Sequence, residues 1–229
     1  KNIKKLREEG YTINSATNKG YKLVDSPNLL NMQQIKSELK TNWLGQELIV
    51  MQETGSTNQE VKALAANGAQ RGLVVATELQ SKGKGRLGRT WISPKGKDLC
   101  FSILLKPQID MSEIGIVTLC GALAVCRVIR EHLGLDAKIK WPNDVIIGSR
   151  KLCGILTEMA ADMEQIEYVV SGIGINVNNT DFAEDIAHKA TSLCIESGKE
   201  IDHAKLLCRV LEAIEKIIDT YYENGETAL

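Results

Sequence analysis

The stretch KIKWPNDVIIGSRKLCGILTE, residues 138–158, contains three short apolar segments that follow one another through turns of a few residues. The segments Lys138–Trp141, Val145–Ile147 and Leu152–Glu158 are too short for helices and are predicted as strands. Asn143-Asp144 and Gly148-Ser149 separate them, and both pairs are residues that tight turns favour. Strands joined this closely run antiparallel, so the stretch predicts a strand meander.

The remaining apolar segments extend this sheet and add helices to it. Further strands are predicted at Leu48–Gln52, Leu73–Glu78, Leu99–Lys106 and Ile166–Val177, the last one broken by Gly172 and Gly174. Helices are predicted at Met32–Leu39, Asn58–Ala66, Glu113–Leu133 and from the Asp202 cap to Tyr222. Because strands mostly follow strands rather than alternating with helices, the sequence predicts an α+β fold with a mixed, largely antiparallel sheet and helices packed on it.

The composition is that of an ordinary globular protein and excludes several classes of site. The 229 residues are 43% apolar and 25% charged, and a net charge of −1 gives the whole chain no strong attraction to nucleic acid or anionic lipid. The longest apolar run, Ile114–Cys126, is too short to cross a bilayer, and no secretory leader is visible. Six cysteines without a C-x-x-C pair and three scattered histidines offer no metal-ligand spacing. The sequence therefore predicts a cytoplasmic protein with reduced thiols, no membrane contact, no zinc site and no Cys–His nucleophile.

The N-terminal segment differs from the rest in charge. Residues 1–24 carry six Lys or Arg and two Glu, a net charge of +4, so the remaining residues sum to −5. The pattern predicts the end of a helix stopped by Gly10, then short strands at Tyr11–Ile13 and Gly20–Leu23, and a linker at Asp25–Asn28. A basic leader on a mildly acidic body indicates an appended module.

The segment GKGRLGR, residues 83–89, places three glycines and three cations in one loop. Glycines let a backbone curl around a ligand, and clustered cations attract phosphate or carboxylate. The spacing also satisfies G-x-G-x-x-G, but a dinucleotide-binding turn opens directly into a helix, and here Pro94 and Gly96 follow too closely for one. An anion-binding loop and a solvated basic loop are left as the two interpretations.

Other polar segments suit a ligand site, although each also has a simpler structural explanation. Gly55–Asn58 fits a capping box completed by Gln59 or Glu60 as well as it fits a ligand contact. The others are Lys140–Asp144, an Asn-Asp turn with a cation and a carboxylate; Arg150-Lys151, a charged strand end; and Gly172–Asn176, a bulged or closely approached strand. Together they supply phosphate binders without a nucleophile or a general base, which suits adenylate formation by positioning and charge neutralisation.

These motifs resemble those of biotin protein ligases in order and spacing over roughly residues 45–222. The resemblance is carried by GSTN at 55–58, Gln80 just before GKGRLGR, KWPND at 140–144, RKLCGIL at 150–156 and GIGINV at 172–177. It implies a class II synthetase-like catalytic domain at residues 45–229, preceded by a linker and first helix at 25–44. Residues 1–24 are similar to the last helix and wing of the winged-helix DNA-binding domain in the bifunctional ligase–repressors of this family. The small C-terminal β-domain usual in the family is expected to be absent.

The resemblance also implies a chemistry and a set of roles. Biotin and MgATP would form biotinyl-5′-AMP and pyrophosphate, and a lysine of a biotin carrier protein would then attack the adenylate. Lys151 and Arg86 would be catalytic, the loop at 83–89 would become ordered on ligand binding, and Asp144 would reach Mg²⁺ through ATP. Biotin would contact Ser56, Thr57, Asn58, Gln80, Gly83, Lys84, Gly85, Arg86, Lys151, Gly154 and Gly172. ATP would contact Lys84, Arg86, Arg89, Lys140, Asn143, Asp144, Asn176 and Trp91, the last against adenine.

The resemblance extends to partners and leaves alternatives. The full-length form would repress transcription at operator DNA, and family members often pair as homodimers through the sheet edge. Asp98-Leu99-Cys100 stands where the family commonly has Asn-Leu-Tyr, so one pocket wall is expected to differ. A lipoate or octanoate ligase is the alternative enzyme, although KWPND and GKGRLGR favour biotin. A mainly ligand-responsive DNA-binding regulator is the alternative from another class.

Overall fold

The computed structural model describes residues 2–8, 12–16, 20–25, 28–162 and 165–224, and in them it contains seven α-helices and nine strands. The helices are α1 (Asn2–Glu8), α2 (Met32–Glu38), α3 (Thr57–Ala66), α4 (Gly115–Leu133), α5 (Glu184–Ala187), α6 (Leu193–Ser197) and α7 (His203–Asn224). The strands are β1 (Thr12–Ala16), β2 (Gly20–Asp25), β3 (Leu48–Met51), β4 (Val74–Thr77), β5 (Asp98–Leu105), β6 (Ala137–Lys140), β7 (Asp144–Ile147), β8 (Arg150–Asp162) and β9 (Gln165–Asn176).

A seven-stranded sheet in the order β3-β4-β5-β9-β8-β7-β6 forms the body of the molecule. Only β3 and β4 pair in parallel within it, with α3 as the crossover between them, and the other neighbours are antiparallel. The predicted α+β class with a mixed, largely antiparallel sheet is confirmed. The meander predicted at residues 138–158 is confirmed as β6, β7 and β8.

The central hairpin of β8 and β9 differs from its prediction in two ways. β8 continues to Asp162, four residues past the predicted end at Glu158, and pairs with β9 along that length. The predicted break of β9 at Gly172 and Gly174 is wrong, because both glycines pair with β5 on one side and β8 on the other. Two flanking ladders stabilise an extended backbone even at residues of low strand propensity.

The helices cover the two faces of the sheet unequally. On one face α3 packs over a small cluster that contains Val61, Leu73, Val75 and Leu104. On the other face α4 and α7 cover the larger core, which contains Phe101, Ile155 and Ile173 among many others. By length and composition alone, Met111–Leu133 is apolar enough to cross a membrane, so this segment is longer than the predicted apolar run. Its side chains at Val117, Ala124 and Ile129 are buried within the molecule, as a core helix requires.

The N-terminal elements are a helix and a hairpin. α1 is followed by β1 and β2, which pair antiparallel, and the Arg7 guanidinium donates to the Ile13 carbonyl at 2.5 and 3.1 Å. Gly10, Tyr11 and the turn at 17–19 lie outside the described residues. The assignment of residues 1–24 to part of a winged helix stays a prediction.

Candidate active site

A cavity of about 360 Å³ opens on the face of the sheet that α3 covers. Its floor contains Gly154 on β8 and Gly172 and Gly174 on β9, with Gly154 directly opposite Gly174 in the ladder. Residues whose side chains point to one face of a sheet lie two apart, which explains the Gly-x-Gly spacing. The floor is therefore backbone that another group can approach closely.

The Trp91 indole occupies part of this floor. A Cβ at Gly174 would lie 2.6 Å from the indole, and one at Gly154 would lie 3.0 Å from it. The indole Nε1 is buried and has no hydrogen-bond partner among the described residues. Glycine is thus required under the ring, and an aromatic surface is available inside the cavity. The packing of Trp91 against adenine stays a prediction.

At the α3 end of the cavity, buried polar side chains form a connected network. Gln80 Oε1 accepts from the Thr57 backbone N–H at 2.9 Å and lies 3.1 Å from the Thr57 hydroxyl. The Ser102 hydroxyl lies 2.7 Å from Thr57 Oγ1 and 2.6 Å from Asn58 Oδ1. Ser56 occupies the N-cap position of α3, but its side chain makes no capping hydrogen bond. The capping-box interpretation of Ser56 is therefore wrong, and its hydroxyl remains for a ligand.

Lys151 connects this polar end to the rest of the cavity. Its Nζ lies 2.7 Å from Asp144 Oδ1 and 5.6 Å from the centroid of the Trp91 ring. Its backbone N–H donates to the Lys189 carbonyl at 2.6 Å, which fixes the start of β8. With 37% of its side chain exposed, the ammonium faces the cavity instead of being sealed in the core. Asp144 is the one acidic residue among the described residues that line the cavity.

The glycine loop closes one side of the cavity as a small hairpin. Lys84 bridges Thr90 in antiparallel fashion, and the Gly85 N–H donates to the Arg89 carbonyl at 2.7 Å. At its tip Leu87 adopts a left-handed backbone with φ 57° and is 88% exposed. This tip is a short 3₁₀ turn at Arg86–Gly88, and the next regular element along the chain is β5. Because no α-helix stands between the loop and β5, the loop is not a dinucleotide-binding turn.

Arg86 joins the loop to the turn between β6 and β7. Its guanidinium donates to Asn143 Oδ1 at 3.0 Å, and Asn143 Nδ2 donates to the Ile155 carbonyl at 3.1 Å. Lys84, Arg89 and Lys140 line the same cavity. The cavity therefore combines buried polar side chains at its α3 end with a group of cations, Lys151 among them.

The structure brings together nearly all the site residues predicted from the sequence. Asn176 and Gly83 do not line the cavity. Asn176 is buried and donates from Nδ2 to the Thr191 carbonyl at 2.9 Å. A Cβ at Gly83 would lie 2.4 Å from the Trp91 carbonyl oxygen, so this glycine allows the hairpin to close. The residues that line the cavity as predicted are Ser56, Thr57, Asn58, Gln80, Lys84, Gly85, Arg86, Arg89, Trp91, Lys140, Asn143, Asp144, Lys151, Gly154 and Gly172.

Other lining residues, among them Trp141 and Gly174, were given no role of their own, although both lie in segments that the sequence singled out. The Trp141 side chain is 81% exposed at the cavity rim, and an aromatic residue inside the KWPND motif was an available signal. Gly174 lies two residues after Gly172 on the same face of β9, so strand periodicity alone could have found it. The other missed lining residues are Leu87, Thr90, Pro142, Ile155, Leu156 and Ile173.

Two ionisable groups lie buried on β5 next to the cavity. Burial raises the pKa of the Asp98 carboxyl to about 7, although the Val177 N–H and the Ser93 hydroxyl oppose the shift. Burial, and to a lesser extent the charge of Asp98, raises the pKa of the Cys100 thiol to about 12. Cys100 does not line the cavity, and its raised pKa makes it a buried, un-ionised thiol and not a nucleophile. The predicted difference in one pocket wall stays a prediction.

The described residues contain no group of three or more His, Cys, Asp or Glu side chains that could hold a metal ion. Asp144 offers a single carboxylate, and its Oδ1 already pairs with Lys151. Mg²⁺ is usually bound through one or two carboxylates together with substrate phosphates. These residues fit a magnesium ion that enters with a nucleotide, not a dedicated protein site.

Comparison with known proteins gives one consistent result. Residues 50–176, more than half of the chain, match the biotin/lipoate A/B protein ligase family. The bifunctional ligase/repressor BirA of Bacillus subtilis is 38% identical over 231 residues, which cover 100% of this chain and 71% of that protein. The biotin–[acetyl-CoA-carboxylase] ligase of Mycobacterium tuberculosis is 33% identical over 80% of this chain and 68% of its own length. The solved structure of the biotin protein ligase from Aquifex aeolicus in complex with biotin and ATP aligns with a TM-score of 0.69 and 31% identity, over 79% of this chain and 73% of that one.

Proposed function

The chain belongs to the biotin/lipoate A/B protein ligase family, and we propose that it is a biotin protein ligase. It joins biotin to ATP as biotinyl-5′-AMP and transfers the biotinyl group to a lysine of a biotin carrier protein of a carboxylase. The observation that carries this proposal is that one cavity combines buried polar side chains with a group of cations that includes Lys151. Named relatives ligate biotin, and the Aquifex aeolicus structure holds biotin and ATP together.

The polar end suits the ring system of biotin. Ser56, Thr57, Asn58 and Gln80 supply hydrogen-bonding groups there, which can pair with the donors and the acceptor of a cyclic urea. A buried site of this kind strongly rejects a ligand that lacks the matching polar groups, because the site's own groups are then left unpaired. This supports biotin over lipoate, which has no urea.

The cationic end suits the reacting atoms. In the first step a biotin carboxylate oxygen attacks the α-phosphorus, the bond to the bridging oxygen breaks, and pyrophosphate leaves. Lys84, Arg86 and Lys151 line the region where negative charge accumulates, and fixed charges placed in advance stabilise a transition state more than a ground state. In the second step the lysine amine attacks the carbonyl carbon of the mixed anhydride, and AMP leaves. Neither step needs a protein nucleophile.

The remaining cavity residues are assigned to the nucleotide. Trp91 offers its ring to adenine, and Arg89, Lys140 and Asn143 line the phosphate side. Asn176 acts on the nucleotide side indirectly, since its amide Nδ2 donates to the Thr191 carbonyl, next to the residues that pair with the start of β8. Mg²⁺ bound with ATP would neutralise phosphate charge, and Asp144 is the carboxylate that would contact it.

Regulation is the second part of the proposal. The relatives named ligase/repressor match this chain from end to end, and α1 with the β1–β2 hairpin carries the predicted excess of positive charge. We infer operator DNA as a partner of the full-length protein, a cytoplasmic location and a homodimer formed through the sheet edge. Salt-dependent binding of full-length protein to operator DNA tests the regulator role, since phosphate contacts weaken as salt rises.

The test of the ligase is intact-mass analysis of a biotin carrier domain incubated with the protein, biotin and MgATP. A biotinyl mass increase on one lysine is the expected result. Competition between biotin and lipoate in the same assay separates the two ligase types, and preferential lipoyl transfer contradicts biotin specificity. If neither the carrier nor the free solution gains a biotinyl product, the enzyme assignment fails and the regulator function is left.

A further inference from the structure

The amide of Asn58 fills a notch that three adjacent strands create. Ser102 on β5, Gly172 on β9 and Leu156 on β8 stand side by side in the sheet. A Cβ at Gly172 would lie 2.1 Å from Asn58 Oδ1, so only glycine admits this side chain. The amide lies above Gly172, between Ser102 on one side and β8 on the other.

The surroundings of the amide fix which way it points. Asn58 Nδ2 donates to Glu158 Oε2 at 2.7 Å and to the Leu156 carbonyl at 3.2 Å. A flipped amide would place its oxygen against these two acceptors, which is repulsive. The carboxylate of Glu158 therefore holds Oδ1 toward Ser102, although Glu158 itself does not line the cavity.

The orientation of the Asn58 amide determines the direction of the other hydrogen bonds in the network. Asn58 Oδ1 has no proton, so the single proton of the Ser102 hydroxyl points to it across 2.6 Å. The Thr57 hydroxyl must then use its own proton inside the network, toward Ser102 at 2.7 Å or Gln80 at 3.1 Å. Toward a ligand, Thr57 Oγ1 is left as an acceptor only.

Gln80 supplies a hydrogen-bond donor to the pocket, where Thr57 supplies an acceptor. Gln80 Oε1 is held by the Thr57 backbone N–H at 2.9 Å, so its Nε2 is the donor end, with one proton toward the Cys100 thiol and a second for a ligand. A cyclic urea combines N–H donors with a carbonyl acceptor. The pocket thus presents an acceptor and a donor, which match the two kinds of group on a urea.

We propose that Glu158 is a positioning residue that sets the hydrogen-bond polarity of this pocket and thereby its selectivity for the urea of biotin. The assignment rests on the proposed function and adds a residue outside the cavity to it. Lys62 supports Glu158 through an ion pair, with 28% and 27% of the two side chains exposed. Burial raises the pKa of the Glu158 carboxyl, but the hydrogen bonds from Lys62 and Asn58 outweigh it and leave the pKa below its ordinary value.

The test compares Glu158→Ala with Glu158→Gln by calorimetric titration with biotin in the absence of ATP. The alanine variant removes the closer of the two acceptors that hold Asn58 Nδ2 and leaves only the Leu156 carbonyl at 3.2 Å, so the amide is held less firmly and biotin binding is expected to weaken by roughly 10- to 100-fold. The glutamine oxygen can still accept from Asn58, so Glu158→Gln is expected to retain wild-type affinity within about threefold. At saturating biotin, kcat of the alanine variant is expected to stay within about threefold of wild type, because the polar end does not contact the reacting atoms.

Two further variants make the test independent of folding defects. Ser102→Ala breaks the network in the middle and is expected to weaken biotin binding as Glu158→Ala does, with MgATP binding unchanged. Lys62→Met leaves the carboxylate in place and is expected to change biotin affinity by less than about threefold, as for a partly exposed ion pair.

The outcomes separate this assignment from the proposed function. If wild type binds biotin and both Glu158→Ala and Ser102→Ala bind it equally well, the positioning role is wrong and the ligase stands. Equal weakening of biotin and MgATP binding, or a glutamine variant as poor as the alanine one, also overturns it. If wild type binds no biotin, both the ligase assignment and the positioning role of Glu158 are wrong.

Discussion

The ammonium of Lys151 has one close anionic neighbour, Asp144, and otherwise faces the cavity. A partly exposed ion pair of this kind contributes at most about 1 kcal/mol to stability. The same fixed charge beside a transferring phosphoryl group is worth far more, since it acts where charge develops. We therefore expect Lys151 to serve catalysis more than folding.

Replacement of Lys151 by alanine is expected to lower the rate of biotinyl-AMP formation by roughly 100-fold or more. The thermal midpoint is expected to fall by no more than about 4 °C, as for a loss near 1 kcal/mol in a chain of this size. Pyrophosphate release and a melting curve measure the two effects. Lys82→Ala is the control, because this exposed loop lysine does not line the cavity. A variant that unfolds while its folded fraction keeps full activity shows that Lys151 is structural.

Asp98 gives a prediction of the stability of the protein against pH. Its folded pKa is about 7 against 3.8 for an ordinary aspartate, chiefly because of burial. A raised acid pKa means that the folded state keeps a proton that the unfolded state loses, so stability falls as pH rises through this interval. Asp98→Asn removes the titration and can still accept from the Val177 N–H. Its free energy of unfolding relative to wild type is expected to increase by roughly 2 kcal/mol between about pH 5 and pH 8.

Urea unfolding at the two pH values measures this difference. A constant offset between Asp98→Asn and wild type contradicts the shifted pKa of Asp98.

Individual residues show where sequence reasoning succeeds and where it stops. Lys151 and Gln80 could be assigned because RKLCGIL and the Gln before GKGRLGR resemble the motifs of biotin protein ligases. Gly172 was also found, but the group that fills its notch, Asn58, comes from α3, some 114 positions earlier in the numbering. Contacts between residues so far apart in the chain depend on strand register, which a single sequence does not fix.

At the scale of elements, the glycine loop and the β6–β7 turn are joined through the Arg86–Asn143 hydrogen bond. This bond holds the loop across the cavity, and a loop held in this way shields a reactive anhydride from water. Arg86→Ala is expected to raise the release rate of biotinyl-AMP roughly 10- to 100-fold, with a smaller effect on its synthesis. Chase of labelled adenylate with excess unlabelled adenylate measures the rate.

Asn143→Ala is the matched variant, since it removes the other partner of the same bond. A smaller but clear increase in release is expected there, because Arg86 keeps its charge. Adenylate retained by Arg86→Ala as tightly as by wild type excludes loop closure through this residue.

Strands and long helices were predictable because their apolar periodicity is strong, and α4 ends at Gly134 with φ 67°, as a terminating glycine should. The short helices α5 and α6 were missed, since helices of four and five residues carry too little periodicity to detect. The extension of β8 beyond Glu158 was missed for another reason. Its end includes exposed residues such as Met159, and only pairing with β9 makes them a strand.

At the scale of the whole molecule, the segment that leads into the catalytic part is anchored next to the site. Asn28 Oδ1 accepts from the His203 backbone N–H at 3.0 Å, and Asn28 Nδ2 donates to the Ile201 carbonyl at 2.6 Å. The Leu30 N–H donates to the buried carboxylate of Glu78, two residues before Gln80. Burial raises the pKa of the Glu78 carboxyl, and the Leu30 N–H opposes that shift. These contacts join residues 28–30 to the start of α7 and to the segment after β4, although they lie close to the N-terminal elements in sequence.

Two truncations of the chain locate this boundary. Removal of residues 1–27 retains every contact just described, so ligase activity and the thermal midpoint are expected to stay near those of the full chain. Removal of residues 1–30 also deletes the buried Leu30 side chain and the donor to Glu78, at a combined cost of about 3 kcal/mol or more. The second truncation is expected to melt roughly 6–12 °C below the first. Equal midpoints for the two proteins would show that the anchor contributes nothing, and a large loss with the first would place the N-terminal elements within the catalytic fold.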